Sequence, residues 1–267
     1  MANESNAELV IAHAWYAPPS AFAGEYMFPP HVTQEMVDGS QRTLDAAVRD
    51  ATAAGAKHVS GKLLTGVPWA EIVTLLETQA FELCVIGTHG RTGLSRILLG
   101  SVAEKVLRHS PCSVLAVRPD SDVKPFAHAL VPTDFSDGAR YALDQSVELV
   151  QPGGAITLLH VSEFPAAYSG EVASADFARD LDKRSVAALD EEAARLQRKT
   201  TATVSLRSRI GFPGAQILAA LDDDRSVDLV VMGSHGRTGI KRVLLGSVAE
   251  KVVRHARCPV LVARKRA

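Results

Sequence analysis

The amino-acid sequence predicts an α/β protein made of two tandem, doubly wound parallel-sheet domains. Three observations predict it. A long segment of the chain recurs, apolar strand-like runs alternate with helical patterns, and 267 residues suffice for two buried cores. Residues 87–118 read GTHGRTGLSRILLGSVAEKVLRHSPCSVLAVR, and residues 233–264 read GSHGRTGIKRVLLGSVAEKVVRHARCPVLVAR. Most exchanges between them stay within Ile, Leu and Val or within Ser and Thr. Upstream, GVPWAEIV (66–73) matches GFPGAQIL (211–218), and FELCVIG (81–87) matches VDLVVMG (227–233). A repeat this long denotes two copies of a domain rather than the short unit of a solenoid. Strands alternating with helices imply a parallel sheet covered on both faces. Right-handed crossovers make such a sheet doubly wound, with any ligand at the carboxyl ends of the strands.

The second copy carries the full alternation. HALVPTD (128–134) is a short apolar run that closes in a turn, and SDGARYALDQSVELV (136–150) opens on a Ser cap with helical apolar spacing. AITLLHVS (155–162) is again strand-like. An Ala-rich, charged stretch from about Ser174 to Lys199 reads as a helix. ATVSLRSRI (202–210), a helix opening at Pro213, DLVVMG (228–233), a helix from about Ser247 and PVLVAR (259–264) complete the copy. The first copy departs at its start: NAELVIAHAW (6–15) corresponds to GAITLLHVSE (154–163), the second strand of the later copy. Nothing corresponds to its first strand and first helix. Either the true start lies upstream of Met1, or this domain is degenerate. The Pro-flanked segment PDSDVKP (119–125) reads as the linker, giving domains 1–119 and 125–267.

Composition excludes several classes. Apolar residues make up 46% and charged residues 22%, the profile of a soluble globular protein. A net charge of -1 gives no electrostatic case for nucleic acid or an anionic membrane as partner. No apolar run is long enough to span a bilayer, and the opening MANESNAELV lacks the basic start of a signal peptide. The three cysteines, Cys84, Cys112 and Cys258, show no CxxC spacing, which suits a reducing compartment. The expected location is cytoplasmic.

The chemistry-bearing motif follows the fourth strand of the second copy: Gly233, Gly236, Gly246 and Ser247, glycines separated by two and nine residues and followed by a hydroxyl. Glycine lets backbone N–H groups approach a ligand with no Cβ in the way. Ser247 fits the N-cap or first turn of the helix SVAEKVVRH, whose exposed N–H donors and partial positive charge suit phosphate oxygens. No GK[ST] follows, so this is not a Walker A loop, and the spacing is not the dinucleotide GxGxxG. Isolated glycines more often just end a strand or enable a turn; their joint spacing with Asp134 reverses that reading. His235 and Arg237 lie inside the loop and could touch phosphate, with solvation the equal alternative. Lys241 and Arg242 fit a solvated face better than a phosphate clamp. His109 and His255 close helices, where a cation suits the dipole. The pairs His109–Cys112 and His255–Cys258 supply too few ligands for a metal.

On these residues, together with PTDFS at the end of the first strand and a helix followed by CPVLV, the sequence resembles the universal stress protein family, in its ATP-binding branch. The resemblance spans 125–267 and, without the opening strand and helix, 6–118. It implies a Rossmann-like fold with strand order 3-2-1-4-5. It also implies that Pro132, Thr133 and Asp134 line the adenosine end, and that Val161 meets adenine through its backbone. Met232, Gly233 and Gly236 would border ribose and phosphate, and Gly246, Ser247 and Val248 would hold the phosphates. The first copy keeps Gly87, Gly90, Gly100 and Ser101 but lacks a counterpart of Asp134, so it is expected to bind nucleotide weakly or not at all. Without that first strand, the second and fourth strands lose their shared neighbour. The resemblance further implies antiparallel pairing of 113–118 with 259–264 as an intramolecular pseudo-dimer, with a homodimer as a further step. The implied function is a nucleotide-dependent stress or signalling regulator using ATP, with or without Mg²⁺. A slow ATP hydrolase and an ATP-independent interaction scaffold are the alternatives.

Overall fold

The structure is a computed structural model that describes residues 7–16, 30–88, 99–118, 124–163, 175–236 and 245–266. The first copy supplies β1 (Leu9–Trp15), α1 (Pro30–Ala53), β2 (Val59–Thr65), α2 (Pro68–Thr78), β3 (Leu83–Gly87), α3 (Ser101–His109) and β4 (Ser113–Val117). The second supplies β5 (Phe126–Thr133), α4 (Asp137–Leu149), β6 (Val150–Ser162), α5 (Ala175–Gln197) and β7 (Thr203–Ile210). It continues with α6 (Pro213–Asp223), β8 (Leu229–Gly233), α7 (Ser247–His255) and β9 (Val260–Ala263). These elements form two compact units, Met1–Ala80 and Phe81–Ala267.

In the first unit β1 pairs in parallel with β2, from Leu9 opposite Val59 to Trp15 opposite Thr65. The end of this ladder is tied by the Trp15 indole, whose Nε1 donates to Thr65 Oγ1 at 3.0 Å. Leu44 of α1 and Val73 and Leu76 of α2 are its buried apolar anchors. Proline in the first turn of α2 starts that helix where a missing N–H costs nothing.

The second unit is built on a seven-stranded sheet in the order β3-β4-β9-β8-β5-β6-β7. Counted within the second copy alone, the order β7-β6-β5-β8-β9 is 3-2-1-4-5, and these strands pair in parallel. The sheet separates two buried clusters. Leu130, Leu159, Val230 and Met232 join Ile217 of α6 and Val252 of α7 on one side. Val131, Leu158 and Val231 join Leu143 of α4 and Leu189 of α5 on the other. Strands apolar on both faces are what a sheet covered on both faces requires.

Among the described strands the antiparallel joint is β4 with β9: Val114 faces Val262, Leu115 faces Leu261 and Ala116 faces Val260. Leu115 and Leu261 occupy equivalent places in the repeat, so the joint is a local two-fold. The residues after each strand obey it too. Arg264 donates to the carbonyls of Leu107, Arg108 and Ser110 at the end of α3, while Arg118 donates to the carbonyl of Arg254 at the end of α7. Each arginine thus satisfies terminal helix carbonyls across the joint.

β5 sits between β6 and β8, and among the described residues the first copy shows no counterpart of it. The first copy's equivalents of β6 and β8, which are β1 and β3, accordingly lie in different sheets. The boundary between compact units falls at Ala80–Phe81, inside the first repeat, because β3, α3 and β4 are held by the β4–β9 joint.

Candidate functional site

The site starts where β5 ends. Ala129, Leu130 and Val131 are fully buried and fix the strand, so the chain leaves the sheet at Pro132, Thr133 and Asp134. The turn that follows is set by side chains. Thr133 Oγ1 accepts from the Phe135 N–H at 3.0 Å, and Asp134 Oδ1 accepts from Ser136 N at 3.1 Å and Ser136 Oγ at 2.6 Å. Ser136 Oγ in turn accepts from Ala139 N at 3.3 Å and caps α4. Phe135 has φ 65, a left-handed conformation that is costly for a bulky residue. Its ring lies 4.6 Å from that of His160 at the end of β6. His160 is buried and donates Nδ1–H to the Thr133 carbonyl at 2.8 Å, tying the ends of the two strands together. Val161, one residue on, is half-buried and pairs with Arg209 of β7.

The other wall is the end of β8. Met232 is buried, and at Gly233 the strand touches the start of α4: a Cβ there would lie 2.9 Å from the carbonyl carbon of Gly138. Gly236 faces Asp134, and a Cβ would fall 2.6 Å from Asp134 Oδ2. Between them, Ser234 N donates to the Ala263 carbonyl at 3.2 Å, and the Ser234 carbonyl accepts from Gly246 N at 2.9 Å. That last bond brings the loop back to α7. Gly246 is the N-cap of α7 and makes no side-chain cap bond; Ser247 and Val248 are the first two helical residues. The first-turn N–H groups of a helix have no intrahelical partner, and no side-chain bond caps this start, chemistry that suits an anion in the turn formed by Ser234 and Gly246. His235 sits inside it, with Nδ1 3.0 Å from Ser234 Oγ and Nε2 buried without a partner among the described residues. Burial, with the Arg264 charge, holds the His235 imidazole below its ordinary pKa.

The fold therefore brings together Pro132, Thr133, Asp134, Val161, Met232, Gly233, Gly236, Gly246, Ser247 and Val248 at the carboxyl ends of β5, β6 and β8 and the start of α7. Gly233 serves a packing role against α4 that its place in the motif did not reveal. Phe135, Ser234 and His160 were missed as contributors; PTDFS and GSHG contain the first two, and only the ladder places His160. Arg237, Lys241, Arg242 and Gly90 lie outside the described residues. In the first copy Thr88 N donates to the Val117 carbonyl, and Gly100 N to the Thr88 carbonyl. The turn onto Ser101 thus repeats the one at Ser234 and Gly246, with Gly87 exposed at the end of β3. Among the described residues no group of three His, Cys, Asp or Glu side chains is placed to hold a metal, and no helix is long and apolar enough to cross a membrane.

Comparison with known proteins agrees with this architecture. The Universal stress protein family profile matches residues 1–118 and again 125–264. Universal stress protein Rv2623 of Mycobacterium tuberculosis is 29% identical over 272 residues, covering 96% of this chain and 86% of its own. Universal stress protein Rv2005c of the same organism is 29% identical over 234 residues, 85% of this chain and 77% of its own. Among solved structures, a universal stress protein from Archaeoglobus fulgidus aligns over 98% of this chain and 88% of its own, with TM-score 0.63 and 26% identity. The double profile match and the 3-2-1-4-5 sheet lead to one assignment: the chain belongs to the universal stress protein family and carries two tandem copies of its domain.

Proposed function

We propose that the chain is an ATP-binding stress or signalling regulator with one competent nucleotide site, in the second copy. The observation that carries the reading is the facing of Asp134 and Gly236 beside the uncapped start of α7. Together they offer an acidic acceptor for ribose hydroxyls and backbone donors for phosphates, separated by glycine positions that leave room for a ligand. The orphaned Nε2 of His235 lies within the same loop, where a phosphate oxygen would satisfy it. Pro132 and Thr133 line the adenosine end, Val161 presents backbone to adenine, and Gly246, Ser247 and Val248 hold the phosphates. Mg²⁺ enters with the triphosphate. Bound nucleotide lies against Ser234, His235 and Gly246. Ser234 N is bonded to Ala263, at the end of the β4–β9 joint, so occupancy biases the surface the two copies share.

Isothermal titration of nucleotide-free protein with ATP, with and without Mg²⁺, tests this directly, alongside a phosphate-release assay. The expected result is one ATP per chain without multiple turnover. Sustained turnover moves the protein to the hydrolase class. Absence of binding leaves an interaction scaffold.

A further inference from the structure

β5 and β6 do not end together. Thr133 and His160 are the last pair of their parallel ladder, after which Asp134 turns away towards α4 while β6 runs on to Ser162 against β7. The Ser162 carbonyl accepts from Gly211 N, just past the end of β7, at 3.0 Å. Successive carbonyls along a strand point to opposite sides, so the Val161 carbonyl points the other way, towards β5 and past the last pair of that ladder. A side-chain bond spans this end: His160 Nδ1 donates to the Thr133 carbonyl at 2.8 Å. That carbonyl belongs to the planar peptide leading into Asp134, and His160 immediately precedes Val161. The imidazole therefore links the backbone that carries the Asp134 carboxylate to the backbone that carries the Val161 carbonyl. Its place is costly to maintain. His160 is 8% exposed, on a strand where Leu158 and Leu159 are fully buried and a leucine would need no polar partner. Its ring is backed by Phe135, 4.6 Å away, whose φ of 65 is the positive value recorded at a non-glycine residue. Phe135 also packs against the cluster under α4 and α5. Its strained backbone is the kind of outlier that collects at ligand clefts.

We infer that His160 is a positioning residue that sets the preference of the site for adenine over guanine. The inference rests on the reading that adenosine lies between Asp134 and Val161. Adenine carries an amino donor where guanine carries a carbonyl acceptor. The Val161 carbonyl can accept from the first, whereas it meets the second as acceptor against acceptor, a mismatch that discriminates strongly in a buried site. That discrimination requires the base edge to reach Val161 while the ribose stays on Asp134. The bond from His160 to the Thr133 carbonyl fixes the distance between those two contacts. The phosphates, held at Gly246 and Ser247, do not depend on it.

The test is isothermal titration of the nucleotide-free full chain with ATP and, separately, with GTP. The unmodified chain is expected to prefer ATP by about tenfold or more. His160→Leu removes the donor while keeping an apolar side chain, and weakens ATP by about tenfold. GTP weakens much less, so the ratio of the two affinities falls. His160→Asn places an amide N–H near the position of Nδ1 and keeps most of the preference. His160→Gln, whose amide reaches the place of Nε2 instead, behaves like His160→Leu and serves if the leucine variant does not fold. Partial unfolding lowers ATP and GTP binding in the same proportion, so the ratio separates positioning from stability, and urea unfolding gives the folded fraction. Parallel loss of both nucleotides, an unchanged ratio, or His160→Asn falling as far as the disruptive variants overturns the inference. An unmodified chain that binds ATP and GTP equally also overturns it and leaves the nucleotide site standing, whereas one that binds neither overturns that reading as well.

Discussion

Alanine at position 236 adds one methyl group at the point where the two walls of the site meet. Its Cβ would lie 2.6 Å from Asp134 Oδ2, closer than real Cβ atoms approach anything. The φ at Gly236 lies outside the left-handed region, so the clash alone carries the effect. The Asp134 carboxylate cannot swing aside freely, because Oδ1 accepts from both Ser136 N and Ser136 Oγ. Relief requires breaking those bonds or moving the loop. A hydrogen bond to a charged group is worth about 1.5–3 kcal/mol. If the complex needs Asp134 in place, Gly236→Ala therefore weakens ATP binding roughly ten- to hundredfold. Fold stability falls as well, by about 1.5–3 kcal/mol if one of these bonds is lost, while Ser136 keeps its cap on Ala139 N. Titration calorimetry and urea unfolding on the same preparation separate the two effects. Wild-type affinity in the variant would refute the reasoning, as would a loss of binding explained entirely by unfolding.

At Gly233 the clash is with backbone. Gly233→Ala drives a Cβ to 2.9 Å from backbone of Gly138, which cannot rotate away, so stability falls by about 1–3 kcal/mol in urea unfolding. Between α4 and α5, burial pushes the Glu192 carboxyl up, but hydrogen bonds from Arg140 and Arg195 outweigh it and hold it below its ordinary range. Because the folded pKa is the lower one, this stabilisation is complete above the unfolded value. It is lost as pH falls through the folded value, so Glu192→Gln should flatten the fall of the urea midpoint between about pH 5 and pH 2. Burial also pushes the Cys258 thiol up to about 11. A thiol reagent at neutral to mildly alkaline pH should label it roughly a hundredfold more slowly in the folded chain than in urea.

Much of this was legible in the sequence because the repeat made each motif readable twice. The strands and helices of the second copy are visible as apolar runs and capping signals, whereas the order of β5 to β9, the pairing of 113–118 with 259–264 and the placing of Asp134 beside Gly236 and Gly246 come from the family resemblance. What stayed hidden depends on which strands become neighbours. Nothing in LVIAHAW or LCVIG says that β1 and β3 end in separate sheets; among the described residues no strand lies between them, and the β4–β9 joint holds β4. The left-handed backbone of Phe135 is equally invisible, since its residue type argues against it, and it persists where Thr133, Asp134 and Ser136 bond the turn closed. His160 reads as one more residue of an apolar strand until its bond to the Thr133 carbonyl is seen.

The central claim is a single working nucleotide site in the second copy. The most direct measurement is the nucleotide released by heat from freshly purified protein and separated by chromatography, with Gly246→Asp placing a negative side chain at the N-cap of α7 as the control. About one ATP or ADP per chain, lost in that variant, is the predicted result. Protein that is empty as isolated and stays empty after incubation with ATP and Mg²⁺ would contradict it.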